Sequence, residues 1–450
     1  MIEQLTLQQR KLVYLIGIVL MSLPIIWLGM PGGRPEDGAA AYSGKLAQLR
    51  QDYDLGESTL GKVDPTSATM NLVLLGMRGV AVNLLRIQLD QQKDQKQWAQ
   101  MRATTESVIL LQPHYIQVWR YLGWNLAYNV SAEWDAVEDR YFWVKEGTKF
   151  LMQGSEKNRR DPEVYWDTGN TLGKKIGRSD EWKQFRKFFK VDPDTEVYKD
   201  GPDSEINPTG NDNYLVAKDW FVKANVADET RAQHIMMDVL FRSYPARSQL
   251  DYADALHREG QFDETTRKAW EDSYHEWVEV FGKMRFQTGD CEIFLEASAS
   301  EKDMEQLLAA SGVTRPILEK EINLYQNVSN YRYWRTKAHS EKLPNTAAVH
   351  RDLYQGEQLF KRNELEAAKE LLESGLARYK VLLDSYQDLS VDDAAIEEGL
   401  WAIMIWQKIY QLKNQVQPPD EEIPLRSLWE KEIQRVPALQ EDFNRRYGAL

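Results

Sequence analysis

The chain has 450 residues, with 69 Asp and Glu against 56 Lys and Arg, a formal net charge of −13 and a single cysteine, Cys291. So acidic a chain lacks the positive field that collects phosphates, which argues against general nucleic-acid binding and against lying flat on anionic lipid. One thiol excludes an internal disulfide and supplies no lipid-attachment cysteine after the N-terminus, and a lone cysteine is most often a small buried hydrophobe.

After an N-terminal tail, residues 1–11, residues 12–30 read LVYLIGIVLMSLPIIWLGM without a charged side chain. As a helix rising about 1.5 Å per residue, this run spans roughly 28 Å, close to the hydrocarbon thickness of a bilayer. It has no polar face, as a soluble core helix would. It is longer than a signal-peptide core, and the nearest small-residue cleavage site, Ala39–Ala41, lies too far behind it. Pro24 is tolerable in a membrane helix, and Tyr14 and Trp27 stand near opposite ends, where aromatic rings favour the interface. The run predicts one uncleaved transmembrane helix. Arg10 and Lys11 precede it, whereas Arg34, Lys45 and Arg50 are scattered after it. The bias is small and favours a single-pass protein with its body on the non-cytoplasmic side; a cytoplasmic body is the alternative.

Residues 31–63 read as a spacer rich in Gly, Ala and charge. From Asp64-Pro65 onward, apolar residues recur every three or four positions, as in Trp98, Met101, Val108 and Leu111, and strand signals are few. Prolines at 113, 162, 193 and 245 are expected to end helices, because proline cannot donate the helical hydrogen bond. The pattern predicts an N-terminal helical region at 64–191 and an acidic irregular loop at 192–213. A middle helical region at 214–345 and a C-terminal one at 346–416 follow, then a linker and capping helix at 417–450. Further breaks are expected near Phe286–Asp290 and at Leu343-Pro344-Asn345.

Charge is unevenly spread. Residues 141–190 hold twelve Lys/Arg against seven Asp/Glu, whereas 192–230 hold ten acids against three bases. Two such faces can neutralise each other within one molecule, the basic one can meet a partner, or both can be ordinary solvated helix faces.

Recognisable chemistry is missing. The six histidines, at 114, 234, 257, 275, 339 and 350, form no HExxH and no i, i+4 pair, and with one cysteine they fit no common zinc or haem spacing. Asp192, Asp194, Glu196, Asp200 and Asp203 lack the glycine and terminal glutamate of an EF-hand loop. No GxSxG, P-loop or GxGxxG stands on a strand-to-helix turn. No catalytic residue, cofactor or metal is therefore expected. The compositional excess is tryptophan, fifteen in 450. Most are expected to fill gaps between helices. Trp124, Trp134 and Trp143 are the candidates for a partner-binding surface.

Two segments carry a finer pattern. In the first, Leu353-Tyr354-Gln355-Gly356 leads to Ala367-Ala368, Leu372 and Gly375. In the second, Ala253-Asp254-Ala255-Leu256 leads to Gly260-Gln261-Phe262, with Thr265 where alanine is usual. They resemble the tetratricopeptide (TPR) repeat, in which small residues let two helices approach closely. Gln112-Pro113 before Trp119 and Gly123, and Asp161-Pro162 before Trp166 and Gly169, echo it at 49-residue rather than 34-residue spacing. Leu75–Gly79 and Val118–Ser131 also resemble a group of uncharacterised planctomycete-type membrane proteins, over about residues 65–190. That resemblance implies an anchored helical-repeat protein and supplies no activity.

The expectation is an all-α, TPR-like helix-pair superhelix (an α-solenoid) on one N-terminal transmembrane helix. Its expected function is a non-catalytic scaffold that binds a protein or peptide partner at the membrane. The alternative is a carbohydrate-binding or carbohydrate-processing envelope protein that uses exposed tryptophans and carboxylates.

Overall fold

A computed structural model describes residues 78–111, 113–230, 236–289 and 291–448, together with Ile18, Leu20 and Leu23. The apolar run at 12–30 lies outside the described residues apart from those three, which are helical with exposed side chains. No helix among the described residues is long and apolar enough to cross a membrane. The spacer at 31–63 also lies outside them. Among the described residues the protein is all-α but for one short hairpin.

The chain divides into two units, residues 1–118 and 119–450. In the first, α1 (Arg78–Asp94) and α2 (Trp98–Leu111) form a helical hairpin closed by a turn at Lys96. Val82, Leu89, Met101 and Val108 are buried.

The second unit is built of helices that pack both on sequence neighbours, as Pro344–Lys361 does on Leu365–Ser385, and on more distant ones, as Pro162–Asn170 does on Asn213–Thr230. The first group comprises α3 (Ile116–Trp124), α4 (Val137–Lys157), α5 (Pro162–Asn170), α6 (Trp182–Lys190), the short α7 (Thr195–Tyr198) and α8 (Asn213–Thr230). α3 runs on through a π-turn, Asn125–Val130, and α5 through another, Thr171–Lys175, into Ile176–Arg178. Tyr141, Leu172, Phe185, Phe189 and Phe221 fill their shared core. The Asp-Pro signal works as expected at α5: Pro162 occupies the first turn, and Asp161 accepts from the amides of Glu163 and Val164.

The second group is α9 (Asp238–Arg258), α10 (Glu264–His275, continued by a π-turn, Glu276–Phe281), α11 (Glu301–Ser311), α12 (Arg315–Ser329) and α13 (Tyr331–Glu341). Trp270, Trp277, Ile293, Leu318 and Tyr331 lie in its core. Pro245 does not end a helix: it lies inside α9. Apolar burial on both sides of it, at Val239, Phe241, Ala246 and Leu250, outweighs the lost hydrogen bond. The break near Phe286–Asp290 is an antiparallel hairpin in which Phe286 pairs with Ile293 and Gln287 with Glu292.

The third group is α14 (Pro344–Lys361), α15 (Leu365–Ser385), α16 (Asp393–Asn414), α17 (Arg426–Lys431) and α18 (Val436–Tyr447), around Leu372, Leu400, Ile403 and Trp406. The segment expected to supply one capping helix thus holds two short ones. α14 and α15 cross closely: a Cβ at Gly356 would stand 2.7 Å from Leu372, and one at Gly375 2.9 Å from Leu353.

The acidic segment after α6 is folded onto α4. Lys145 Nζ donates to Asp192 Oδ2 (2.6 Å) and lies 4.4 Å from the centre of the Tyr198 ring. Lys149 pairs with Asp203 (2.8 Å) and Glu205 (3.0 Å). Asp192 and Asp203 are buried, so both carboxylates are committed to lysines. Here the basic and acidic stretches neutralise each other. Buried Arg186 extends this pattern, pairing with Asp212 (2.8 Å) and with Glu259 of α9 (2.6 Å).

Candidate functional site

Helices of the second and third groups, with Arg178 of the first group, line an open cavity of about 610 Å³. That volume falls within the range of sites that hold small molecules or a few side chains. α9 contributes Asp254, His257 and Arg258; α13 contributes Lys337 and Glu341; α14 contributes His350 and Glu357. Tyr379 enters from α15, Glu397, Glu398 and Trp401 from α16, and Asp442 and Arg446 from α18. Seven carboxylates line the cavity against four Lys and Arg side chains and His350, so the lining carries a small net negative charge.

Local sequence sets these positions. The chain leaves α9 through Gly260 at φ 79°, and a Cβ there would lie 2.4 Å from the Tyr354 ring. Only glycine suits both the left-handed turn and that contact, which brings the end of α9 against α14. Asp263 then caps α10 by accepting from the amides of Thr265 and Thr266. Pro344 starts α14, and Asp392 caps α16 through the Ala395 amide (3.1 Å).

The most buried polar groups of the cavity form one network. His350 Nδ1 lies 2.8 Å from Glu398 Oε1, and its Nε2 lies 3.2 Å from Glu341 Oε1. Burial alone would lower the His350 pKa, but the two carboxylates outweigh it and raise it well above the ordinary value, so the ring is held as imidazolium. Burial works against the Glu341 carboxylate too, yet His350, His257 and Lys337 bring its pKa down to about 2. The Tyr379 hydroxyl stands 2.9 Å from the Ala395 carbonyl and 3.2 Å from Glu398 Oε2.

His257 differs. Burial lowers its pKa to about 4, which keeps the ring neutral at pH 7. Trp270 Nε1 donates to His257 Nε2 (3.3 Å), which leaves the ring proton on Nδ1, 3.9 Å from Glu341 Oε2. That oxygen is buried, in a residue only 4% exposed, and its one close contact is the ion pair with His350 Nε2 at 3.2 Å. Lys337 faces Asp254 at 3.5 Å. Burial would lower the Lys337 pKa, but Asp254, Tyr333 and Glu341 raise it above normal.

The tryptophans singled out in the sequence lie elsewhere. Trp134 is 41% exposed and stacks on half-buried Trp143, with ring centres 6.3 Å apart; exposed Phe142 meets Trp143 edge-on. Trp124 is 48% exposed and stacks on Tyr128 instead. None of the three lines the cavity. Spacing rules pass over His257, Glu341, His350 and Glu398 because these come from four different helices, α9, α13, α14 and α16. The one local hint is the Gly260–Phe262 turn, which follows His257 directly.

Among known proteins, no family model, curated protein or solved structure matches the chain.

Proposed function

We propose that the chain is a membrane-anchored helical-repeat scaffold whose acidic cleft holds a Lys- or Arg-bearing segment of a partner protein. The observation that carries this reading is the cleft, in whose lining seven carboxylates stand against four Lys and Arg side chains and His350. Exposed acids at its rim, Glu397 and Asp442, give a cationic segment its first electrostatic contacts, while buried groups below discriminate by shape and hydrogen bonding. In this reading, the serial helix pairs form a TPR-like α-solenoid, an architecture that binds partners along its surface without chemistry. The apolar run at 12–30 is the anchor that holds the cleft at a membrane, with the body on the non-cytoplasmic side. The exposed side chains of Ile18, Leu20 and Leu23 suit a lipid-facing helix.

The carbohydrate alternative has weaker support. It calls for exposed tryptophans flanking paired carboxylates, whereas the cleft holds half-buried Trp401 and both Trp124 and Trp134 lie outside it. The deciding experiment is a crosslinked pull-down with the intact anchored protein, its E397K/D442K variant and an anchor-only control. Recovery of one complex by the wild type, lost in the charge-reversed variant, is the expected result. Equal recovery by all three would overturn the reading.

A further inference from the structure

We propose that His257, Glu341 and His350 form a binding site for a divalent transition metal of the Zn²⁺ class, with one coordination position open to the cleft. This goes beyond the partner-binding reading and does not depend on it. The three residues come from the ends of α9 and α13 and from the first half of α14. Each can offer one donor atom, and these atoms lie within 4.8 Å of one another. Glu341 Oε2 is 3.2 Å from His350 Nε2 and 3.9 Å from His257 Nδ1. Donors bound at about 2.0–2.1 Å in a tetrahedron stand about 3.3 Å apart, so small rotations of buried side chains suffice to close the set.

A second, independent observation points the same way. Glu341 Oε2 is buried between the two imidazoles and makes no hydrogen bond beyond its ion-pair contact with His350 Nε2 (3.2 Å). A buried carboxylate oxygen left this way is costly unless something occupies the gap it faces. A metal there would gain two nitrogens and this oxygen. Two histidines, one glutamate and a vacant fourth position make up the donor set of open zinc sites.

The surroundings have the matching outer layer. Glu398 accepts from His350 Nδ1 (2.8 Å), which fixes the ring with Nε2 toward the gap, and Tyr379 holds Glu398 in turn. The Glu341 and Glu398 carboxylates together balance a dication. Two contacts must yield: His350, held as an imidazolium, has to release its Nε2 proton to solvent before it can ligate, and the His257 ring has to change its partner. Metal on His257 Nδ1 moves the ring proton to Nε2, where it meets the Trp270 indole N–H, so binding has to turn one of these rings. Trp270→Phe removes that competing donor and is expected to tighten metal binding.

The test uses full-length protein in detergent, stripped with a chelator and titrated with ZnCl₂ against a chromogenic competitor. Co²⁺ serves as the spectroscopic probe. The proposal expects one Zn²⁺ per chain and a visible Co²⁺ d–d spectrum from a four- or five-coordinate site. Affinity should fall by about tenfold or more in Glu341→Gln and His257→Gln, and by about tenfold to a hundredfold in the outer variant Glu398→Gln. His257→Gln removes a neutral ring, so it keeps the charge balance and guards against loss of binding through unfolding; circular dichroism verifies each variant. Absence of stoichiometric Zn²⁺ binding, or wild-type affinity in folded Glu341→Gln and His257→Gln, would overturn the proposal. Either result leaves the partner-binding reading to its own pull-down.

Discussion

Lys145→Met is expected to detach the acidic segment from α4. The lysine is buried, donates to Asp192 Oδ2 at 2.6 Å and stands 3.5 Å from Asp203 Oδ2. Asp203 keeps Lys149 after the substitution, but Asp192 keeps only the Asp194 amide at 3.0 Å. A buried carboxylate that loses its cation costs about 3–5 kcal/mol, whereas breaking an exposed pair costs about 1 kcal/mol or less. The burial of both partners places this pair in the first class. Urea unfolding followed by tryptophan fluorescence measures the loss, and limited proteolysis within residues 193–211 shows whether the segment comes free. The double variant K145M/D192N should recover most of the stability, because a neutral amide is cheaper to bury and keeps the turn to Asp194. A cost under about 1 kcal/mol with unchanged proteolysis would refute the reasoning.

Gly147→Ala puts a Cβ 2.6 Å from the Gly123 carbonyl oxygen and 2.8 Å from the Ala127 amide nitrogen, both backbone atoms of the neighbouring helix. It should cost about 1–3 kcal/mol in thermal unfolding, while Gly173→Ala, whose Cβ meets nothing nearer than 3.6 Å, should be close to neutral. Trp277→Ala removes a buried ring that donates to the Tyr331 carbonyl (3.0 Å) and should cost about 3–5 kcal/mol by denaturant titration. Acid should weaken the fold through Asp203 and Asp251. Burial opposes their charge, but Lys149 for Asp203, and Arg247, Arg178 and Lys174 for Asp251, hold both pKa values below the usual one. Because the folded values are depressed, their contribution is complete above the unfolded pKa of about 3.9 and disappears as pH falls through the folded values. Asp251→Asn should flatten the acid limb of the stability–pH curve; an unchanged limb would contradict the assignment.

Helix starts and close helix contacts were legible in the sequence because they rest on local chemistry. Asp161-Pro162 begins a helix, Gly260 turns the chain, and Gly356 and Gly375 sit where two helices meet. Pro245 misled because tertiary burial outweighed a local rule, and the Phe286–Ile293 hairpin is too short to leave a periodic trace. The π-turns after Trp124, Asn170 and His275 add a residue without breaking the apolar pattern, so period reading passes through them. The tryptophan excess did not tell which rings are exposed, as Trp124 and Trp134 are, and said nothing of the cleft. The His257–Glu341–His350 cluster exists only through the packing of α9, α13 and α14, which no spacing motif encodes.

The central claim is that the acidic cleft is where a partner segment sits. A photo-crosslinking amino acid placed at Glu397 or Trp401 in the cleft, and at exposed Val381 outside it, tests this directly in native membranes. The account predicts a discrete adduct from 397 and 401 that maps to a Lys- or Arg-rich segment of one protein and is absent from 381. No adduct from the cleft positions, or the same adducts from all three, would contradict it.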